Sequence, residues 1–163
     1  AQALPRLQGI MAIGSPLLKD TTSMGEAFLP HPHLPLAFKS HLSPEEVELL
    51  IKALLLKDHP FAAEMRRSYQ TTDPALRGTI GEILAQGHFP DETAIARQLH
   101  CPLAMVHGAH DKVVNLEYIK KLRLPTLWNG EVTVIAEAGH FPSQETPEQF
   151  TQLLFDFVRY CQK

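Results

Sequence analysis

Three short runs of apolar residues along the chain predict buried β-strands. The first lies in LQGIMAIGSP, residues 7–16, and the second in CPLAMVHGAHD, residues 101–111. The third, EVTVIAEAG at residues 131–139, is rich in β-branched side chains. Near-continuous apolar runs of this length are typical of parallel strands, which are covered on both faces.

The long segment between the first two runs shows helical spacing instead. Helix starts are predicted at three capping residues, Ser43, Asp73 and Asp91. The first of these forms an S-x-x-E capping box with Glu46, and apolar residues then recur every three or four positions. Residues 17–42 contain several prolines and are predicted to be an irregular connection.

Helices also follow the second and third runs. A short helix is predicted over residues 115–122, and a longer one starts at a second capping box formed by Thr146 and Gln149. Strand, helix, strand and helix in this order indicate parallel strands joined by a right-handed crossover. The predicted fold class is therefore α/β, with a parallel sheet and flanking helices.

Composition narrows the class of protein. The chain has 163 residues, of which 44% are hydrophobic and 20% charged, which is typical of a globular domain with its own core. A net charge of −3 offers no basic surface for nucleic acid or an anionic membrane. No apolar run approaches the ~18 residues that span a bilayer, and AQALPRLQGI does not resemble a signal peptide. The expected location is the cytoplasm.

The cysteines and histidines predict no metal site or disulfide framework. Cys101 and Cys161 are expected to be small buried apolar residues. His31, His33 and His41 lie in a proline-rich stretch without a carboxylate or thiolate at ligand spacing, so no metal is expected there.

The candidate chemistry lies where two predicted strands end. Asp111 follows the second run, and His140 follows the third. Parallel strands place their carboxyl ends on one side of the sheet, where open α/β sheets carry their active sites. A carboxylate that accepts from an imidazole N–H fixes the tautomer of the ring and stabilises its protonated form. The two residues are therefore predicted to be the acid and base of a nucleophilic triad.

The local sequence around both residues resembles the α/β-hydrolase superfamily. Members often carry hG-x-x-D followed by GH-x-x-x-x-E-x-P, and this chain has both motifs in that order, with His107-Gly108, Asp111, Gly139-His140, Glu145 and Pro147. The resemblance implies that residues 1–16 are a core strand segment, residues 17–99 a helical cap or lid, and residues 100–163 the C-terminal half of the core. Glu145 is expected only to support the start of the last helix electrostatically.

The resemblance also implies that the nucleophile is missing. The family order is nucleophile, acid and histidine, with the nucleophile in a G-x-S-x-G elbow that this chain lacks, as it lacks the His-Gly oxyanion loop. Ser15 follows a strand, but Pro16 has no backbone N–H to donate to an oxyanion. Asp20 is a second candidate for the acid, because some members carry the acid after the earlier strand; Asp111 is preferred.

The function implied by the resemblance is hydrolysis of ester-like small molecules by a Ser-His-Asp triad, of which this chain carries only Asp111 and His140. No cofactor or metal is expected, and Phe141 and Val113 are predicted to contact substrate. An Asp nucleophile would instead give epoxide or haloalkane hydrolysis, and a third alternative is a non-catalytic module that binds a ligand or a protein.

The chain alone is expected to be inactive. Its expected partners are the small-molecule substrate and either the missing N-terminal half of the fold or a second copy. A second copy would pair through the exposed edge of the first strand.

Overall fold

The computed structural model describes residues 7–162, so the first six residues of the predicted strand segment 1–16 lie outside the described residues. The described part contains three strands, β1 Ile10–Ile13, β2 Leu103–Gly108 and β3 Thr133–Ile135. It also contains eight α-helices, which are α1 Thr21–Ala27, α2 Pro44–Leu54, α3 Phe61–Thr71, α4 Pro74–Ala85, α5 Glu92–Arg97, α6 Leu116–Lys121, α7 Pro142–Glu145 and α8 Pro147–Cys161.

The three strands form one parallel sheet in the order β1-β2-β3, as predicted. Residues Ile10 to Ile13 of β1 lie opposite Leu103 to Val106 of β2. The central strand β2 is buried along its whole length, which explains its unbroken apolar sequence. β1 forms one edge of this sheet, and its outer side has no strand partner among residues 7–162.

The two faces of the sheet bury different cores. Leu103 and Met105 of β2 pack in the main core with α2, from which Leu50 and Ile51 are also buried. On the opposite face, Ala104 packs with Phe157 of α8 and Trp128, while Val106, Ile135 and Ala138 form a second cluster there. Burial of these side chains supplies most of the stabilisation of the sheet.

β3 is shorter than predicted, because the chain leaves the ladder after Ile135 rather than at residue 139. The backbone then turns across the end of β2, where the carbonyls of Ile135 and Ala138 accept from the amides of Ala109 and His110. This crossing requires Gly108, since a Cβ at that position would lie 2.0 Å from the carbonyl oxygen of Gly139.

In the helical segment between β1 and β2, the three predicted helix starts are present, and one prediction was wrong in part. Ser43 and Glu46 form the predicted capping box of α2, and Asp73 and Asp91 cap α4 and α5. The prediction that residues 17–42 are irregular was wrong in part, because Thr21–Ala27 form α1 and Leu34–Phe38 form a 3-10 helix. A capping box of Asp20 and Ser23 starts α1.

The two ends of this helical segment are held together at its base. Leu18 N donates to the Glu92 carboxylate at 2.7 Å, and Glu92 N donates to the Leu18 carbonyl at 2.8 Å. The Tyr118 hydroxyl donates to the carbonyl of Leu17 at 3.1 Å. We call this reciprocal Leu18–Glu92 contact the neck of the helical segment.

The last helix begins as predicted but is capped differently. Thr146 makes no side-chain cap hydrogen bond to α8, so the predicted Thr146–Gln149 capping box does not form. The short helix α7 brings the carbonyl of Pro142 to the Thr146 hydroxyl, which donates to it at 3.0 Å. Within residues 7–162, no helix has both the length and the apolar character needed to cross a bilayer.

Candidate active site

The structure brings Asp111 and His140 into direct contact. Asp111 follows β2 and His140 follows β3, and these neighbouring strands end on the same side of the sheet. His140 Nδ1 lies 2.9 Å from Asp111 Oδ2. The Asp111 side chain is fully buried, whereas 19% of the His140 side chain is exposed. The imidazole is therefore fixed on one edge by a buried carboxylate and open to solvent elsewhere.

The second oxygen of Asp111 is occupied by its own loop. Oδ1 accepts from the amides of Val113 at 2.7 Å and Val114 at 3.1 Å. Burial disfavours the charged form of Asp111, but the hydrogen bond and charge of His140, with the two amides, outweigh it and leave the pKa of the carboxyl below its ordinary value. Asp111 is therefore ionised at neutral pH, despite its burial.

The acid loop is held from the helical segment. The amide of Leu29 donates to the Val113 carbonyl at 2.8 Å, and the amide of Asn115 donates to the Ala27 carbonyl at 2.8 Å. Val113, which was predicted to contact substrate, is 3% exposed and packs in the main core. In this structure its visible role is to donate to Asp111.

Asp20, the second candidate for the acid, lies at the start of α1. Its Oδ1 accepts from the amide of Ser23 at 2.9 Å, and its side chain is 48% exposed. The structure gives this residue a capping role and pairs His140 with Asp111.

Gly14 lies beside the His140 ring and was not singled out by the sequence. Its φ of +57° lies in the left-handed region, just after β1. A Cβ at this position would lie 3.2 Å from Cε1 and 3.3 Å from Nδ1 of His140. The only signal in the sequence was a glycine at the end of a predicted strand. Ser15 is the next residue, so the candidate nucleophile considered from sequence lies in this same turn.

Phe141 lies beside His140 and against the helical segment. Its ring meets the ring of His140 edge-on at a centroid distance of 5.1 Å. It meets the ring of Phe61, at the start of α3, at 5.7 Å in the same manner. The side chain is half-buried, and a partly exposed aromatic next to the imidazole is suitably placed for the predicted contact with substrate.

Glu145 also contacts this site, which the sequence did not predict. Its Oε2 accepts from the amides of Gly139 at 2.9 Å and Phe141 at 3.1 Å, and its Oε1 accepts from the amide of Leu56 at 2.6 Å. The carboxylate thus binds the residues on either side of His140 and the end of α2. Sequence spacing alone could not show the contact with Leu56.

A second imidazole lies behind the acid. The His107 side chain is 3% exposed, and its Nδ1 lies 3.8 Å from Asp111 Oδ2, which is too far for a hydrogen bond. Nδ1 has no partner among the described residues. Burial lowers the pKa of His107, and the charge of Asp111 opposes this only in part, so the ring is neutral at pH 7.

Metal ligands are not clustered in the described part of the chain. Across residues 7–162, no group of three or more His, Cys, Asp or Glu side chains is arranged to hold a metal ion. The rings of His31 and His33 instead pack edge-on against each other, with centroids 5.5 Å apart.

The chain matches solved structures of ester-hydrolysing enzymes. A crystal structure of the N-acyl homoserine lactonase AidH superposes with a TM-score of 0.88 at 29% identity, covering 96% of this chain and 57% of the lactonase. A thermophilic esterase from Thermogutta terrifontis gives 0.68 at 22% identity, covering 97% and 58%. A putative aryl esterase from Burkholderia cenocepacia gives 0.71 at 16% identity, covering 95% and 56%.

No protein-family model and no curated protein matches the sequence. The chain spans little more than half the length of the solved structures that it matches.

Proposed function

We propose that this chain, which has the fold of the C-terminal part of an α/β-hydrolase, supplies the acid and the base of an enzyme that hydrolyses ester-like bonds. The observation that carries the proposal is the 2.9 Å contact between His140 Nδ1 and the buried Asp111 carboxylate. His140 is the general base, and Asp111 is its orienting acid.

The geometry gives each residue a defined task. An ionised Asp111 accepts a hydrogen bond, so His140 carries its proton on Nδ1 and presents the lone pair of Nε2. Nε2 takes the proton of the attacking hydroxyl, and the same proton passes to the departing alcohol. A water molecule repeats the cycle on the acyl intermediate, and Asp111 stabilises the imidazolium in both halves of the reaction.

The nucleophile comes, in this proposal, from a part of the fold that the chain does not contain. The sequence has no G-x-S-x-G elbow, and Pro16 prevents the turn at Ser15 from donating to an oxyanion. β1 has an open outer edge among residues 7–162, and its end at Gly14 leaves little space beside His140. A further parallel strand on this edge, at the usual spacing of about 4.8 Å, would end close to the imidazole.

The matched enzymes favour a carboxylic ester as the substrate. Two of them are described as esterases and one as a lactonase, and a lactone is a cyclic ester. Because the lactonase is 29% identical over almost the whole chain, N-hexanoyl homoserine lactone is the first substrate to test, beside p-nitrophenyl esters.

The decisive experiment uses a longer polypeptide. In it, this chain is preceded by the residues that the genome encodes directly upstream. We expect hydrolysis of at least one ester. Asp111→Asn should lower kcat by about 10⁴-fold, and His140→Ala should lower it by about 10⁶-fold. His88→Ala, at an exposed histidine, is the matched control and should leave the rate unchanged. Full activity of His140→Ala would overturn the proposal.

The same experiment separates ester chemistry from the alternatives. Turnover of an epoxide or a haloalkane in place of esters would indicate an Asp nucleophile. Absence of any turnover, with specific binding of a ligand, would indicate a binding module.

The 163-residue chain by itself is expected to be inactive. It lacks the elbow motif and the oxyanion loop, and loss of one oxyanion donor alone can cost about 10²–10³ in rate. Rates on p-nitrophenyl acetate should equal those of buffer. Turnover by this chain that disappears in His140→Ala would contradict the assignment of a missing nucleophile.

A further inference from the structure

We propose that Glu145 is a positioning residue for the base, because its carboxylate couples the His140 loop to the end of α2. The inference rests on the proposed function only in taking His140 as the base. Glu145 touches neither ring nitrogen of His140 in the contacts described, so its action is on the backbone that carries the imidazole.

The carboxylate binds both peptide groups that flank the base. Oε2 accepts from the amide of Gly139 at 2.9 Å and from the amide of Phe141 at 3.1 Å. Two hydrogen bonds from residues on either side of His140 fix the direction in which its Cβ leaves the backbone. The ring is then directed towards Asp111 before any substrate binds, which is the pre-organisation that catalysis requires.

The other oxygen extends this support to the helical segment. Oε1 accepts from the amide of Leu56 at 2.6 Å, two residues after the end of α2. The amide of His140 donates to the Leu54 carbonyl at 3.2 Å, next to the same point. The base loop and the end of α2 are thus joined by hydrogen bonds in both directions.

The close fit at Gly139 follows from this arrangement. A Cβ at Gly139 would lie 3.0 Å from the amide nitrogen of Leu56 and 3.1 Å from each Glu145 carboxylate oxygen. A side chain at position 139 would therefore separate the carboxylate from its donors. The glycine before the base serves the Glu145 contact as well as the turn.

Only a carboxylate satisfies all three amides. An ionised carboxylate is acceptor-only, with two oxygens, whereas an amide side chain offers one oxygen and one NH₂ group. Glu145→Gln keeps the size of the side chain but directs an NH₂ group at one set of backbone N–H donors. This variant therefore breaks either the Gly139–Phe141 pair or the Leu56 contact without creating a cavity.

The experiment compares Glu145→Gln and Glu145→Ala with Glu148→Gln, a matched change at an exposed glutamate three residues away. In the 163-residue chain, amide hydrogen exchange is measured at Leu56, Gly139 and Phe141, and the Nδ1–H resonance of His140 is followed by NMR. We expect Glu145→Gln to speed exchange at one or more of these amides at least tenfold and to broaden or shift the Nδ1–H resonance. Glu148→Gln should match the unmodified chain.

In the longer polypeptide, Glu145→Gln should lower kcat by about 10- to 10²-fold with KM nearly unchanged, because the base is displaced while the substrate pocket is kept. Unchanged exchange and an unchanged Nδ1–H resonance in Glu145→Gln would overturn the proposal, whether or not the polypeptide is active. If Glu145→Ala does not fold, Glu145→Gln decides the question. Lack of ester hydrolysis in the unmodified longer polypeptide would contradict the proposed function. The proposal for Glu145 would then be decided by the hydrogen-exchange and NMR measurements alone.

Discussion

Individual glycines set the geometry around His140. Gly108 allows the turn after β3 to cross the end of β2, and Gly139 leaves room for the Glu145 carboxylate. Gly14 leaves room for the imidazole itself. Three backbones therefore approach closely at one point, where Asp111 and His140 meet.

Gly14 offers a direct test of this crowding. Gly14→Ala combines a φ of +57° with a Cβ within 3.1 Å of the His140 carbonyl oxygen, so we expect a loss of about 1–2 kcal/mol in the free energy of unfolding. The Nδ1–H resonance of His140 should shift as well. Urea unfolding and NMR measure the two effects.

The control for this change is Gly25→Ala. Gly25 lies inside α1, and a Cβ there would meet no atom within 4 Å. This variant should be neutral or more stable, by up to about 1 kcal/mol, because alanine favours a helix. Equal effects of the two changes would show that the base does not need the space at position 14.

The buried His107 predicts how the stability of the fold changes with pH. Its folded pKa is lowered by burial, so between the unfolded value of about 6.5 and the folded value the unfolded chain binds the extra proton. Stability should therefore fall as the pH drops below about 6.5, and His107→Phe should make the urea midpoint less dependent on pH between 7.5 and 5.5. His88→Phe, at an exposed position, should keep the slope of the unmodified chain; equal slopes for all three would exclude His107 as the source.

The sequence predicted that Asp111 and His140 lie together, because each follows a recognisable strand, and the structure brings them into contact. It could not predict the contacts of Glu145 or Gly14, since their partners are distant along the chain. Leu56 is 89 residues from Glu145, and His140 is far from Gly14. Such contacts are set by how the helical segment packs on the sheet, which local patterns do not encode.

At the level of the elements, capping residues explain where most helices begin. The S-x-x-E box of α2 was predicted and is present, with Glu46 N donating to Ser43 Oγ at 3.3 Å and Ser43 N donating to the Glu46 carboxylate at 2.9 Å. Asp20 and Ser23 form a capping box of the same kind at the start of α1. This box was not predicted, because the prolines and the glycine nearby indicated an irregular connection. The predicted box at Thr146 does not form, because the Thr146 hydroxyl donates instead to the Pro142 carbonyl of α7.

Substitutions at Ser43 and Thr146 should lower the free energy of unfolding by different amounts. Ser43→Ala removes a working cap and should cost about 1 kcal/mol in the free energy of unfolding. Thr146→Ala should cost less, because its hydroxyl satisfies no helix N–H group. Urea unfolding of both variants measures the difference, and a larger loss for Thr146→Ala would contradict this reading of the two helix starts.

For the molecule as a whole, the sequence predicted the α/β class and the parallel sheet correctly. The lengths of the strands were less predictable, because β3 ends where its chain must cross β2 and not where its apolar run stops. The exposed residues of α8 were also not foreseen. Leu154 and Val158 are apolar residues four positions apart on this helix, yet they are 39% and 41% exposed.

The open edge of β1 predicts self-association of the chain. The amides of Ile10 and Gly14 donate to β2, so by the alternation of a parallel ladder the amide of Ile13 points away from the sheet. Ile13→Pro removes that donor without breaking the β1–β2 ladder and should abolish concentration-dependent association in sedimentation velocity. Ile13→Ala keeps the N–H group and should still associate; an unmodified chain that is monomeric at every concentration would contradict the prediction.

The neck between Leu18 and Glu92 has a consequence for the helical segment that it closes. These residues are 74 positions apart, yet they bind each other's backbone at the point where the chain leaves and re-enters the sheet. With the ends tied, doubling the length of the enclosed segment adds only about 0.6 kcal/mol of closure entropy. A change in the length of the segment above the neck should therefore leave the register of β1 on β2, and with it the contact between Asp111 and His140, unchanged.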